Sequence, residues 1–163
     1  MIRDISRKDL SAIVDIYNHF IVHSHSTFEV KKIDETEMKL RVERDTEEYK
    51  LPWLVIEENE QVIGYAYATR WKGRTAYART TETSVYLHKD SGGGGYGKKL
   101  YQALMERLKD DGYHAIIGGI SLPNEASVVL HESLGFKKIG VFREVGYKFD
   151  RWIDVGYWQL IFD

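Results

Sequence analysis

From Thr83 to Tyr101 the chain reads Thr-Ser-Val-Tyr-Leu-His-Lys-Asp-Ser-Gly-Gly-Gly-Gly-Tyr-Gly-Lys-Lys-Leu-Tyr. An apolar strand here enters an amphipathic helix through a turn saturated with glycine. Such a turn aims unpaired backbone N–H groups, and the positive end of the helix dipole, at one point. The chemistry this suits is anion binding, most often of a phosphate. Gly93, Gly94, Gly95, Tyr96, Gly97 and Lys98 are therefore candidates to surround the pyrophosphate of a cofactor. By itself the glycine run is equally compatible with a flexible loop. A Walker-type phosphate loop is excluded because no Ser or Thr follows Gly97-Lys98-Lys99. A Rossmann fingerprint fits poorly, since the turn comes mid-chain and not after the first strand.

The totals narrow the class. A length of 163 residues predicts one domain spanning 1–163, with room for a core. Apolar residues at 43% and charged residues at 29% fit a soluble globular protein. A net charge of -2 without a basic run gives no electrostatic support for nucleic acid or a membrane surface as partner. There is no cysteine, which removes disulfides, thiolate metal sites and a cysteine nucleophile. This composition, and an N-terminus lacking a signal-like apolar core, fit a cytoplasmic location. His19, His23, His25, His88 and His114 have no ligand spacing, so no metal is expected. Eleven Tyr and four Trp suit an aromatic-walled pocket or an aromatic core equally.

The elements that must position the turn follow from periodicity. Ile2–Ile5 predicts a short strand, and Ser6-Arg7-Lys8-Asp9 a capping box. Leu10, Ile13, Val14, Tyr17, Phe20 and Ile21 then give a helix to about His23. Asp34-Glu35-Thr36-Glu37 opens a charged helix to about Glu48. Two strands, 52–57 and 62–68, form a hairpin, and 77–87 predicts a long strand leading into the glycine turn. Leu100, Leu104 and Leu108 mark the buried stripe of the next helix, closed near Gly112. Residues 115–120 are apolar on both faces, as a central strand is. A short helix from Pro123-Asn124 to Gly135 and two aromatic strands, 136–142 and 156–162, complete the chain. The order β-α-α-β-β-β-α-β-α-β-β predicts an α+β fold, with a mostly antiparallel sheet, helices on its faces and one parallel crossover through the glycine turn.

Three blocks resemble the GNAT superfamily of N-acetyltransferases. They are the strand and glycine turn ending Gly95-Tyr96-Gly97, the run from Leu122-Pro123-Asn124 through Leu134-Gly135-Phe136, and the aromatic strand Trp152–Gln159. Together with Asn18-His19-Phe20-Ile21 and Trp71-Lys72-Gly73-Arg74-Thr75-Ala76-Tyr77, the chain resembles the phosphinothricin and methionine-sulfoximine acetyltransferases from about Ile2 to Phe162.

The resemblance implies acetyl-CoA as co-substrate and a small-molecule amine as acceptor. It implies Glu82 as general base acting through water, and His131 as the acid that protonates the leaving thiolate. A solvent-facing strand carboxylate and a merely packed histidine are the plainer alternatives. Val85, Tyr86 and Leu87 would offer backbone groups to the pantetheine arm, with Asn124 and Ser133 as further coenzyme contacts. Asn124 is also a natural N-cap. Lys72, Arg74 and Thr75 would meet a substrate carboxylate, for which arginine supplies two parallel hydrogen bonds. Phe28 and Tyr77 would wall the pocket. Relatives also imply a homodimer, with the aromatic C-terminal strands as its interface. Rival readings are acetylation of a protein N-terminus or a polyamine, and a non-catalytic acyl-CoA sensing module.

One position departs from the family pattern. Gly92 stands where Gln or Arg is usual, and each added glycine raises the ordering cost of the loop by on the order of 0.5–1 kcal/mol relative to alanine. Gly92→Gln or Gly92→Arg should lower the KM for acetyl-CoA, as measured by coenzyme-saturation kinetics.

Overall fold

A computed structural model describes residues 1–163 as a seven-stranded sheet in the order β1-β2-β3-β4-β5-β7-β6. The strands are β1 (Ile2–Asp4), β2 (Trp53–Glu58), β3 (Gln61–Arg70), β4 (Thr80–Leu87), β5 (Ala115–Ser121), β6 (Lys137–Lys148) and β7 (Arg151–Ile161). The helices are α1 (Leu10–His23), α2 (Glu35–Glu43), α3 (Tyr96–Asp110) and α4 (Glu125–Ser133). Every neighbouring pair of strands is antiparallel except β4 and β5. The α+β class, the element order and the single parallel crossover are as the sequence predicts.

Strand alternation divides the side chains between two cores. Trp53, Val55 and Tyr65 pack with Ile13, Tyr17 and Ile21 of α1 on one face. Leu54, Ile56, Ala66 and Ala68 pack with Leu100, Leu104 and Leu108 of α3 on the other. The predicted helical stripes are thus the buried ones. Both capping motifs form: Asp9 Oδ2 accepts from the Ser6 amide at 2.7 Å, and Asp34 Oδ1 from the Glu37 amide at 2.8 Å. After α2 the chain continues as one wide π turn, Arg44–Glu48. It buries Asp45 against the Trp53 indole N–H at 3.1 Å.

Three boundaries differ from expectation. The predicted strand from Tyr77 begins only at Thr80, because Thr75–Tyr77 close a 3-10 turn in which the Ala78 amide donates to the Thr75 carbonyl at 3.0 Å. The two C-terminal strands are much longer than 136–142 and 156–162. They meet in a hairpin whose two-residue turn, Phe149-Asp150, has φ values of 53° and 57°. That is the geometry hairpins prefer, built here without the Asn-Gly pair that normally announces it. A bulge also interrupts β6 between Phe142 and Gly146.

The parallel junction shapes everything downstream. β4 and β5 pair only through Thr80–Glu82 against Ala115–Ile117. Beyond Glu82 the strands part, so β4 runs on from Thr83 to Leu87 with no β5 residue in register.

Candidate active site

The opening between β4 and β5 leads into a cavity of about 220 Å³. Val85, Tyr86 and Leu87 line it from β4, Gly97 from the head of α3, and Asn124, Ser127 and His131 from α4. A second cavity, of about 440 Å³, is lined by His25, Ser26, Phe28, Glu82, Phe142 and Tyr157, among others. Ser26, Gly119 and Ser121 line both. The pairing register explains the division, since Glu82, Ile117 and Gly119 face the α1 side while Thr83, Gly118 and His131 lie on the α3/α4 side. The smaller space fills the gap itself and is lined from both faces, by Phe20 and Tyr86 as well as by Gly97 and His131, while the larger opens from it on the α1 side. A larger cleft of about 790 Å³ lies elsewhere, between β1, α2 and the end of α3, and shares no residue with either.

Glu82 reaches across to β5. A Cβ built on Gly119 would sit 3.3 Å from Glu82 Oε1, so a side chain there would crowd the carboxylate. No cation pairs with Glu82, and burial pushes its pKa above the usual carboxylate value. A partly dehydrated, unpaired carboxylate is a better proton acceptor than one in water.

His131 is buried, with Nδ1 2.7 Å from the Ser127 carbonyl and Nε2 3.2 Å from the Tyr101 hydroxyl. A carbonyl only accepts, so Nδ1 carries the proton and Nε2 accepts from Tyr101. The Tyr101 hydroxyl also bonds Thr83 Oγ1 from β4. Burial lowers the His131 pKa, an effect the Ser127 contact partly opposes. Gly118 makes room for the ring, for a Cβ there would lie 2.6 Å from Nε2.

The glycine turn stands in the open at the mouth of the smaller cavity. Gly95 caps α3 with φ 74°, a conformation that glycine adopts without strain. Nothing lies within 4 Å of a Cβ built at Gly92, Gly93 or Gly95. Gly93, Gly94, Gly95, Tyr96 and Lys98 are thus grouped at the head of α3 but outside the cavity lining. The Tyr96 hydroxyl bonds Glu58. Asn124 caps α4, accepting from the Ser127 amide at 3.2 Å while its Nδ2 donates to Ser26 Oγ at 3.4 Å. Ser133 is exposed and donates to the Leu130 carbonyl at 2.9 Å, apart from both cavities.

Among the expected substrate contacts, only Phe28 lines the larger cavity. Lys72, Arg74, Thr75 and Tyr77 are exposed on the segment between β3 and β4 and line neither space. Trp71 alone ties that segment to the cavity wall, through an edge contact with Tyr157 at 5.8 Å. The structure instead brings in residues that spacing did not single out. His25 places Nδ1 3.0 Å from Ser121 Oγ, and its pKa is lowered by burial and then by the positive charges of Arg151 and Lys148. No cluster of three or more His, Asp or Glu side chains is placed to hold a metal ion, and no helix is long and apolar enough to cross a membrane.

A sheet opened at one parallel junction, with a helix head facing the gap, defines an acetyltransferase fold, and residues 2–156 match the acetyltransferase (GNAT) domain. The chain belongs to the GNAT acetyltransferase family. It is 39% identical to the phosphinothricin N-acetyltransferase of Streptomyces viridochromogenes, over 99% of this chain and 87% of that one. It is 36% identical to the methionine sulfoximine/methionine sulfone acetyltransferase of Salmonella typhimurium, over 99% and 94% of the two chains. Among solved structures, the Salmonella typhimurium acetyltransferase yncA with its cofactor acetyl-CoA superposes with a TM-score of 0.94 at 36% identity, covering 100% of this chain and 94% of that one. A ribosomal-protein-alanine N-acetyltransferase from Brucella melitensis gives 0.97 at 32% identity, covering 99% of each.

Because folding lowers the His131 pKa, the unfolded chain binds more protons at this site than the folded one does. Its contribution to stability is complete above the unfolded imidazole value, near 6.5, and is lost as pH falls from there through the lower folded value. Ring-nitrogen NMR at about pH 6.5 should show Nδ1 protonated and Nε2 bare. Stability measured by denaturant titration should fall less on acidification in His131→Asn than in the wild type.

Proposed function

We propose that this chain transfers the acetyl group of acetyl-CoA to the primary amine of a small amino acid or close analogue, of the phosphinothricin, methionine sulfoximine or methionine sulfone type. One observation carries the reading. Two adjoining cavities share Ser26, Gly119 and Ser121, and the only carboxylate lining either of them, Glu82, stands beside Gly119. The names of the related enzymes supply the substrate class. The unpaired β4 edge and the head of α3 fit an extended thioester carrier, with the arm along Val85–Leu87 and the pyrophosphate toward the N–H groups of 93–98. Acetyl-CoA brings an activated acyl group.

The residues of the chain supply the rest. An amino-acid ammonium enters beside Glu82, which takes one proton through a water and leaves a neutral nucleophile. The amine attacks, the C–N bond forms and the C–S bond breaks. His131 returns a second amine proton to the thiolate. Its imidazole is neutral at rest, with Nε2 accepting from Tyr101. The Tyr101 O–H must therefore first turn to Thr83 Oγ1 before Nε2 gains a proton, and the thiolate charge growing in a dehydrated cavity favours that gain. The proton on Glu82 leaves to solvent. The positive field of Arg151 and Lys148 at His25 suits the substrate carboxylate, in a cavity whose one acid is left for the amine.

The rivals fit less well. A polyamine asks for several acids, and the larger cavity offers only Glu82. The Brucella relative's name keeps a protein N-terminus in view, but the positive charges of Arg151 and Lys148 acting on the cavity residue His25 favour a ligand with its own carboxylate. A sensing module has no use for an unpaired, half-buried acid.

Thiol release from acetyl-CoA, screened across amino acids, their sulfone, sulfoximine and phosphinate analogues, polyamines and an Ala-starting peptide, tests the reading. Turnover with the small amino acids supports it, whereas coenzyme binding without turnover on any amine would establish the sensing module. Glu82→Gln should lower kcat by about 10²–10⁴-fold with coenzyme affinity nearly unchanged. In the wild type, kcat/KM should fall as pH drops through the raised Glu82 pKa, and that limb should vanish in the variant.

A further inference from the structure

β6 is an exposed edge strand along nearly its whole length, and only Gly146 and Lys148 on it are buried. Lys148 is also the one Lys or Arg among the buried residues. A buried ammonium calls for strong partners, yet Lys148 makes no ion pair. Glu29, whose charge acts on it, is itself gripped by both nitrogens of the Arg41 fork, at 2.7 and 2.8 Å. Lys148 Nζ donates instead to two main-chain carbonyls, Ser24 at 2.7 Å and Thr27 at 2.8 Å. Ser24 is the C-cap of α1, so the ammonium also sits at the negative end of that helix.

These carbonyls bracket the loop that walls the larger cavity, for His25, Ser26 and Phe28 lie between or just beyond them. Gly146, two residues earlier on the same face of β6, seats the Phe28 ring, where a Cβ would lie 2.3 Å from the ring edge. The far side of the loop is held by neutral groups, with Ser121 bonding both the ring and the carbonyl of His25 and Asn124 donating to Ser26. Ser26 faces both cavities, so the position of this loop sets how wide the amine space is and where it meets the thioester.

We propose that Lys148 is a positioning residue that, with Gly146 as the seat for Phe28, clamps residues 24–28 to the edge hairpin and so sets the size of amine that the cavity accepts. This deepens the acetyltransferase reading and rests on it for its kinetic arm alone. Charge-assisted donors to two carbonyls fix a loop more firmly than neutral ones. No side chain on β6 but this one reaches the loop with hydrogen bonds.

The test compares Lys148→Met, Lys148→Arg and Gly146→Ala with the wild type. Lys148→Met should speed amide hydrogen exchange over residues 24–29, a readout independent of turnover. It should raise the KM for the preferred amine about tenfold while leaving that for acetyl-CoA within about twofold. It should also flatten the preference among amino acids of different side-chain size. Lys148→Arg, which keeps charge and donors, should restore most of each. Gly146→Ala should displace Phe28 and change the size preference with Lys148 intact, so it serves if Lys148→Met fails to fold. Unchanged exchange over 24–29, an equal rise in both KM values, or an unaltered size preference in Gly146→Ala would each overturn the clamp. Fast exchange in Lys148→Met of a chain that acetylates no amine would leave the clamp standing and remove the enzymatic reading.

Discussion

The site depends on one interruption in backbone pairing. A sheet that stayed zipped between β4 and β5 would bury every N–H of β4 in a ladder and leave no passage between its faces. Here the ladder stops after three residues a side, at Glu82 and Ile117. Everything with chemical character gathers at that point. Glu82 is the last residue of β4 paired with β5, Gly119 keeps the space beside it clear, and His131 arrives from the opposite face over Gly118. The parting costs several ladder hydrogen bonds, each worth about 0.5–1.5 kcal/mol net. Two separate cores, one on each side of the sheet, hold the strands in place despite that loss.

Burial gives the two titratable groups opposite characters. It raises the pKa of Glu82 and lowers that of His131, in both cases by disfavouring the charged form. In the proposed role of base the change would help Glu82, because a less solvated carboxylate holds a proton more tightly. In the proposed role of acid it would work the other way, favouring the neutral form of His131 until a negative charge appears nearby. The contacts from the Ser127 carbonyl and the Tyr101 hydroxyl fix Nε2 as the nitrogen that carries no proton at rest.

Much of this was legible in the sequence, and the reasons differ by region. Helices with strong apolar stripes, such as that of Leu100, Leu104 and Leu108, were readable because burial and periodicity coincide. The glycine turn was readable because its backbone needs leave a compositional trace. The long C-terminal hairpin was not, since Phe149-Asp150 carries no turn signature and exposed β6 has no buried alternation. Lys148 went unnoticed for the same reason, lying beyond the expected end of its strand. His25 meets Ser121, and Tyr101 meets His131, over separations of 96 and 30 residues, through bonds no local spacing encodes. Lys72 and Arg74 show the converse: a motif was legible, but the exposed segment carrying it does not reach the cavity lining.

The short parallel junction also has a mechanical side. Three residue pairs are all that join the sheet's first four strands to its last three edge to edge, and beyond them this seam is bridged by side-chain packing over α3. A ligand lodged in the gap touches both halves at once and acts as a strut across the seam. Occupancy should therefore stiffen the whole domain as well as fill a pocket, coupling coenzyme concentration to the protein's resistance to unfolding.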